Sequence, residues 1–440
     1  MVMTLIAAFL ASASFEPIGI WFLALFGFAL FFRKIQRSNR PIWHSFLFGF
    51  TLNAIVLHWS GKYVGALPWL LLSFLQALFY LPIGFIYKKT NSLWYAALGL
   101  IVFEEIRSRF PFGGFGWTRI AFSQVESPAL PIVAIGGAIS LSIFTIFGSL
   151  LLTRITLKNV SLLVTLFILT IFLPLNPQGS GSLNLLAIQG NTPEVGLEFN
   201  SRAKAVFNLH RDATIEFANG NFDAIVWPEN AIDIDPRMNV DVATDIKNLT
   251  KELDVPLIAG VVQQENGQPE NASILYEKDG GRTSVYVKRG LTPFGEYMPL
   301  RTLAEFVSPM AKTVTDFVPG KNRVVHKVSG FSLGPIICYE IIKDDLVRDM
   351  AINSQALIVQ TNSATFANTA ESAQQLAITR IRAVEHSRAI LSVSTIGISA
   401  FIDANGRVIS QTPENKRAYL LGQLGMSQHK TLADKLHYVK

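Results

Sequence analysis

Seven apolar stretches crowd the first 175 residues of this 440-residue chain, and no run of comparable length follows. They lie at about Val2–Ser14, Ile18–Phe32, Ser45–Trp59, Ala66–Ile86, Leu93–Phe103, Leu130–Leu152 and Val160–Leu173. A membrane-spanning helix takes ~20 apolar residues, so several need flanking residues to reach that length. Charge points the same way. Up to Leu175 there are four acidic and twelve basic residues, net +8, whereas the remainder carries 28 acidic and 26 basic, net −2. Arg33, Lys34, Arg37 and Arg40 share one loop, Lys88 and Lys89 a second, and Arg154 and Lys158 a third. Basic residues in every second loop follow the positive-inside rule. The pI near 9.3 therefore reports membrane topology and not a nucleic-acid partner. Seven spans put those loops in the cytoplasm and everything after Leu175 outside, the chain end at Lys440 included. The start lacks the basic n-region of a cleavable signal peptide.

Past Leu175 the pattern changes to an α/β alternation. Residues 1–175 form the expected transmembrane domain, 176–182 a linker, 183–426 an α/β domain and 427–440 a tail. The stretch Pro174–Ser182, with two prolines, two glycines and two serines, reads as flexible loop. Short β-rich runs follow at Leu183–Gln189, Phe222–Trp227, Leu257–Val262, Ser284–Lys288, Gly334–Cys338, Ala356–Gln360, Ile390–Ser394 and Ile398–Asp403. Helical stretches at Asn200–Ala218, Val242–Glu252 and Ala370–Ser387 lie between some of them, a layered α/β arrangement.

Three of these runs end in residues of complementary chemistry. Phe222–Pro228 leads to Glu229, Ser284–Val287 to Lys288, and Gly334–Ile337 to Cys338, the one cysteine of the chain. A thiol nucleophile needs a base for its proton and a cation for the oxyanion that follows, and an ammonium nearby favours thiolate. Each residue also has a plainer reading: a buried structural thiol, a solvated carboxylate, a solvated lysine. Glu340, two residues beyond Cys338, argues against a purely buried cysteine. Glu296 lies eight residues after Lys288, in the tight segment Thr292–Pro299. A rival nucleophile is Ser332 in Gly330-Phe-Ser-Leu-Gly334, with His386 and Asp344 as triad partners. That motif needs a strand before the serine and a helix after it, and here the β-like run follows. A single cysteine forms no intramolecular disulfide, and no Cys/His cluster or P-loop suggests a metal or nucleotide cofactor.

The strings Trp-Pro-Glu229, Lys288 with Phe-Gly-Glu296, and Cys338-Tyr-Glu340 resemble the nitrilase superfamily of carbon–nitrogen hydrolases. With membrane helices ahead, the chain resembles the apolipoprotein N-acyltransferase family, its membrane-anchored branch. Phe15–Pro17, Arg109–Trp117, Gln189-Gly-Asn191 and Arg380–Glu385 add to the likeness, which covers nearly the whole sequence. The resemblance implies a multi-pass α-helical membrane domain followed by an α-β-β-α sandwich. It also implies Cys338 as nucleophile, Glu229 as general base and Lys288 as oxyanion partner with the Tyr339 N–H. Glu296 would orient Lys288, and Tyr339 and Glu340 would shape the acyl and acceptor sites. No cofactor or metal is implied. The partners would be the bilayer, a phospholipid acyl donor and a diacylglyceryl-modified apolipoprotein, at a bacterial cell membrane with the catalytic domain outside. Alternatives are a membrane-tethered amidase or nitrilase acting on small C–N substrates, and an inactive scaffold binding another envelope protein. Relatives of this kind usually carry a further membrane helix where this sequence has the polar Leu432–Lys440. Some also have a tryptophan shortly after Gln-Gly-Asn, and Pro193–Asn200 has none.

Overall fold

The structure is a computed structural model that describes the chain except residues 174, 176–178, 196–202, 308–310, 313 and 437–440. It divides into two compact units, Met1–Leu175 with Thr431–Lys440, and Asn176–Lys430.

The first unit is helical: α1 Val2–Ser12, α2 Phe22–Gln36, α3 Pro41–Val56, α4 Ala66–Leu78, α5 Leu81–Thr90, α6 Leu93–Arg107, α7 Val133–Gly136, α8 Ala138–Leu152 and α9 Leu157–Ile171. The fourth apolar stretch is two helices, because Pro82 at the start of α5 supplies no N–H to continue the ladder. The sixth is divided at Gly137, whose φ of 74° no helix accommodates. Ala66–Thr90 together, 25 residues, is the one segment among the described residues long and apolar enough to cross a bilayer. The remaining helices from α1 to α9 have at most 16 residues, which is about 24 Å against a hydrocarbon core of about 30 Å.

The outer surface of this unit is more apolar than that of a water-soluble bundle. Phe9, Phe26, Phe74, Trp94, Leu98 and Leu169 point outward and are exposed. Inside, Thr4 hydrogen-bonds His44 at 2.8 Å, and Arg107 donates to Gln76 and Thr118, whose hydroxyl donates to Asn53. Glu104 accepts from the Ser142 hydroxyl and the Ile120 N–H. Apolar side chains on the outside, with the buried polar groups paired to one another, suit a lipid solvent. The chain end belongs to the same unit. Thr431 and Asp434 cap each other's backbone N–H, starting a short helix (Leu432–Leu436) that packs on α7.

The second unit contains two six-stranded sheets. The first has the order β12-β1-β2-β3-β4-β5, made from β1 Gly179–Gln189, β2 Ala224–Val226, β3 Leu257–Glu265, β4 Gln268–Tyr276, β5 Arg282–Val287 and β12 Ala418–Ser427. The second has the order β11-β10-β9-β8-β7-β6, from β6 His326–Val328, β7 Phe331–Ile337, β8 Ala356–Thr361, β9 Ile390–Ser394, β10 Ala400–Ile402 and β11 Val408–Gln411. Strand alternation sorts the side chains. Leu185, Ala187, Val226 and Ile258 of the first sheet meet Leu333, Ile358, Leu391 and Val393 of the second in one core. Leu186, Ile188, Ile225 and Leu257 face the other way, against α10 Ala205–Phe217 and α11 Val240–Leu253. On the far side α13 Asp344–Ala351 and α14 Glu371–His386 cover the second sheet. A seven-residue helix, α12 Arg301–Val307, lies in the long connection between β5 and β6.

Three expectations are corrected. Residues Gly179–Ser182 are not linker but the start of β1, paired with Gly425–Ser427 of β12. Lys288 lies just past β5, not inside it. Strands β4, β6, β11 and β12 have no counterpart among the β-rich runs of the sequence. β4 forms a hairpin with β3 through Asn266-Gly267, both at positive φ, as a two-residue turn requires.

Candidate active site

Strand ends carry the site. β2 runs out at Val226, and Trp227-Pro228 brings the chain to Glu229. The Pro228 carbonyl passes so close to β3 that a Cβ on Gly260 would lie 2.3 Å from it, so that position admits only glycine. Lys288 follows β5, its N–H bound to the Asn271 carbonyl on β4. β7 ends at Ile337, and Cys338 stands in the left-handed region (φ 50°), starting a 3-10 turn over Cys338–Ile342. The turn lifts the thiol out of the ladder.

Lys288 Nζ lies 3.2 Å from Glu229 Oε1 and 2.8 Å from Glu296 Oε2. Asn271 Nδ2 donates to both carboxylates, at 2.7 Å to Glu229 and 2.8 Å to Glu296, and the Thr292 N–H donates to Glu296. Lys288 is 1% exposed and Glu229 5%, while Cys338 is half-buried. Gln375 on α14 reaches Cys338 Sγ with its amide nitrogen at 3.9 Å.

Two anions share one cation, so their protons are held differently. Burial pushes Glu229 above the usual carboxylate range, and the charge of Glu296 adds to this against the pull of Lys288. Burial also works on Glu296, but the Lys288 ammonium and the hydrogen bonds outweigh it and hold that carboxyl low. Burial disfavours the charge of Lys288, yet Glu229 and Glu296 overcome it and the ammonium persists. The Cys338 thiol is pushed up by burial and then by Glu229, which Lys288 only partly offsets. The ammonium does favour thiolate, as expected, but burial and Glu229 outweigh it.

Tyr339 is buried beneath the Lys343 ammonium, 4.8 Å from its ring centroid. Glu340 does not face a substrate space. It is fully buried and accepts from the Tyr286 hydroxyl and the N–H groups of Arg289, Gly290 and Ile337. Its proximity to Cys338 in sequence reflects the architecture of the turn, and a buried glutamate beside the cysteine is no argument for an exposed thiol. Ser332 lies in β7, six residues before Cys338 and about 20 Å away along the strand. Its hydroxyl bonds Gln355, Asp344 pairs with Arg382, and His386 neighbours Glu385, so no serine triad is brought together. The sequence reading missed Asn271, Gln375, Glu371 on α14, and Thr395, whose hydroxyl donates to the Glu229 carbonyl at 3.2 Å.

Comparison with known proteins agrees with this division. The family model for the apolipoprotein N-acyltransferase N-terminal domain matches residues 7–151, and that for carbon-nitrogen hydrolase matches 186–433. The chain is 33% identical to an apolipoprotein N-acyltransferase of Mycolicibacterium smegmatis, covering 96% of this chain and 79% of that one. It is 27% identical to the Coxiella burnetii protein of the same name, covering 99% and 96%. Among solved structures, an amidase from Nesterenkonia sp. aligns at 15% identity and a TM-score of 0.44, over 60% of this chain and 97% of that one.

Proposed function

This chain belongs to the apolipoprotein N-acyltransferase family, an enzyme family, and from that premise we propose how it works: a phospholipid donates an acyl chain to Cys338, and the resulting thioester passes it to the α-amino group of a diacylglyceryl-modified lipoprotein. The observation that carries the reading is the Glu229–Lys288–Glu296 cluster beside the half-buried thiol. Glu229 takes the Cys338 proton as sulfur attacks the ester carbonyl. The Lys288 ammonium, with the Tyr339 N–H, stabilises the oxyanion, and Glu229 then protonates the departing lysophospholipid oxygen. Glu296 and Asn271 hold Lys288 and Glu229 in register. Glu340 is a positioning residue, tying the Arg289–Gly290 backbone to the nucleophile turn. Two half-reactions through one thioester make the enzyme ping-pong.

Both substrates are lipid-anchored, which gives a membrane-embedded first unit a purpose. We read that unit as several membrane passes, supported by its apolar outer surface and the basic residues in alternate loops, with the second unit on the extracytoplasmic side. Intact-mass analysis after incubation with phospholipid tests the chemistry. A hydroxylamine-sensitive acyl adduct is expected, lost in Cys338→Ala and retained in Ser332→Ala. Adduct loss in the serine variant alone reverses the assignment.

A further inference from the structure

α14 presents a second carboxylate to the site. Glu371, its first residue, is 2% exposed, and among the described residues it makes no ion pair. The Ser372 hydroxyl donates to its Oε2 at 3.4 Å, and the Ser363 hydroxyl also bonds it. These two hydroxyls and that of Ser394 converge on Gly397, where a Cβ would lie 2.7 Å from all three. Ser363 and Ser394 are 3.5 Å apart, and the neighbour of Ser394 is Thr395, which holds the Glu229 carbonyl. One helical turn beyond Glu371, Gln375 touches Cys338 Sγ. Glu371 therefore shares its helix with the residue that touches the thiol, and a buried hydroxyl cluster with the residue next to Thr395. The charged groups it faces are Glu229, Cys338 and Glu414, all of them anionic when ionised.

Proton balance gives this carboxylate a task. In acylation the Cys338 proton passes through Glu229 to the leaving oxygen as the S–C bond forms and the C–O bond breaks, with no proton left over. The acceptor amine arrives as an ammonium, its ordinary pKa being about 8. It must shed one proton before its lone pair can attack the thioester, and a second as the amide N–C bond forms. The second returns through Glu229 to Sγ as the S–C bond breaks. The first has no destination among Glu229, Lys288 and Cys338. We propose that Glu371 receives that surplus proton, through the Ser363 and Ser372 hydroxyls, and so generates the neutral amine. The inference rests on the ping-pong reading above. Burial raises Glu371 to about 7, against hydrogen bonds from both serines, so it exchanges protons readily near neutrality.

The test begins from the isolated acyl-enzyme, discharged at pH 7 either by a lipopeptide with a free α-amino group or by hydroxylamine, a nucleophile uncharged at that pH. In Glu371→Gln, lipopeptide transfer should slow about a hundredfold, the scale of a lost general base. Hydroxylamine discharge should not slow with it. Transfer should recover near pH 9, above the ordinary α-amino pKa of about 8. Parallel slowing of both nucleophiles, undiminished transfer, or no recovery at high pH overturns the proposal. Glu371→Asp keeps the carboxylate and must retain transfer at pH 7; loss in both variants assigns Glu371 to packing. A wild-type enzyme that forms no adduct fails at the earlier reading, before Glu371 is reached.

Discussion

Glu296 Oε2 stands 2.8 Å from Lys288 Nζ and, backed by the Thr292 N–H, is the tighter of the ammonium's two anionic contacts. The ammonium is thus held more closely by Glu296 than by Glu229.

Glu296→Gln should undo that arrangement. The charge of Glu296 helps raise Glu229, so its removal lowers the Glu229 pKa and makes it a weaker base. The acid limb of the pH–rate profile for adduct formation should move to lower pH. Lys288 recentres on Glu229, and misplacement of a catalytic group by about 1 Å costs about a hundredfold in rate. Adduct formation followed by mass spectrometry across pH checks both.

Asn271→Leu should shift the same limb the opposite way. The Asn271 amide stabilises ionised Glu229, so without it the pKa rises further and the limb moves to higher pH. Both carboxylates lose a donor in a buried site, a deficit of about 1–3 kcal/mol for each group left unsatisfied. Thermal melts should show the variant destabilised.

Glu371 makes stability depend on pH. Its folded-state pKa of about 7 lies above the ordinary 4.5, so the folded protein holds a proton that the unfolded chain releases. That contribution is complete below 4.5 and is lost as pH rises through about 7. Glu371→Gln removes the penalty and should raise the melting temperature at pH 8, by at most roughly 3 kcal/mol of stability, with little change at pH 4. Equal melting curves at pH 8 would contradict the burial of this carboxyl.

Topology is open to labelling. Single cysteines at Asn39, in the first basic loop, and at Gln428, exposed just after β12, can be placed in a Cys338→Ser background. A membrane-impermeant thiol reagent on intact cells should label Gln428→Cys and spare Asn39→Cys. The reverse pattern would put the thiol in the cytoplasm, where no processed lipoprotein amine is presented.

Glu229, Lys288 and Cys338 could be read from sequence because each ends an apolar run, and a run that stops at a charged or reactive residue marks a strand tip. Asn271 could not. It lies within β4, whose opening residues Gln268-Pro-Glu-Asn271 alternate no apolar face, since the strand's interior side chain serves two carboxylates instead of a hydrophobic core. The contacts of Glu340 were not legible either, because the 3-10 turn that carries it back to the Arg289–Gly290 backbone has no hydropathy signature. In the helical unit the apolar stretches stood out, but hydropathy does not reveal where Pro82 and Gly137 interrupt them.

The left-handed backbone at Cys338 costs a non-glycine residue about 1–2 kcal/mol, so the nucleophile occupies the one place in its turn where it is least comfortable. Selection for activity and selection for durability therefore pull on this codon in opposite directions. A lineage released from the need to modify lipoproteins could relax it to glycine in a single step, trading catalysis for a sturdier protein. A cysteine kept there is the mark of a chain still answerable for its chemistry.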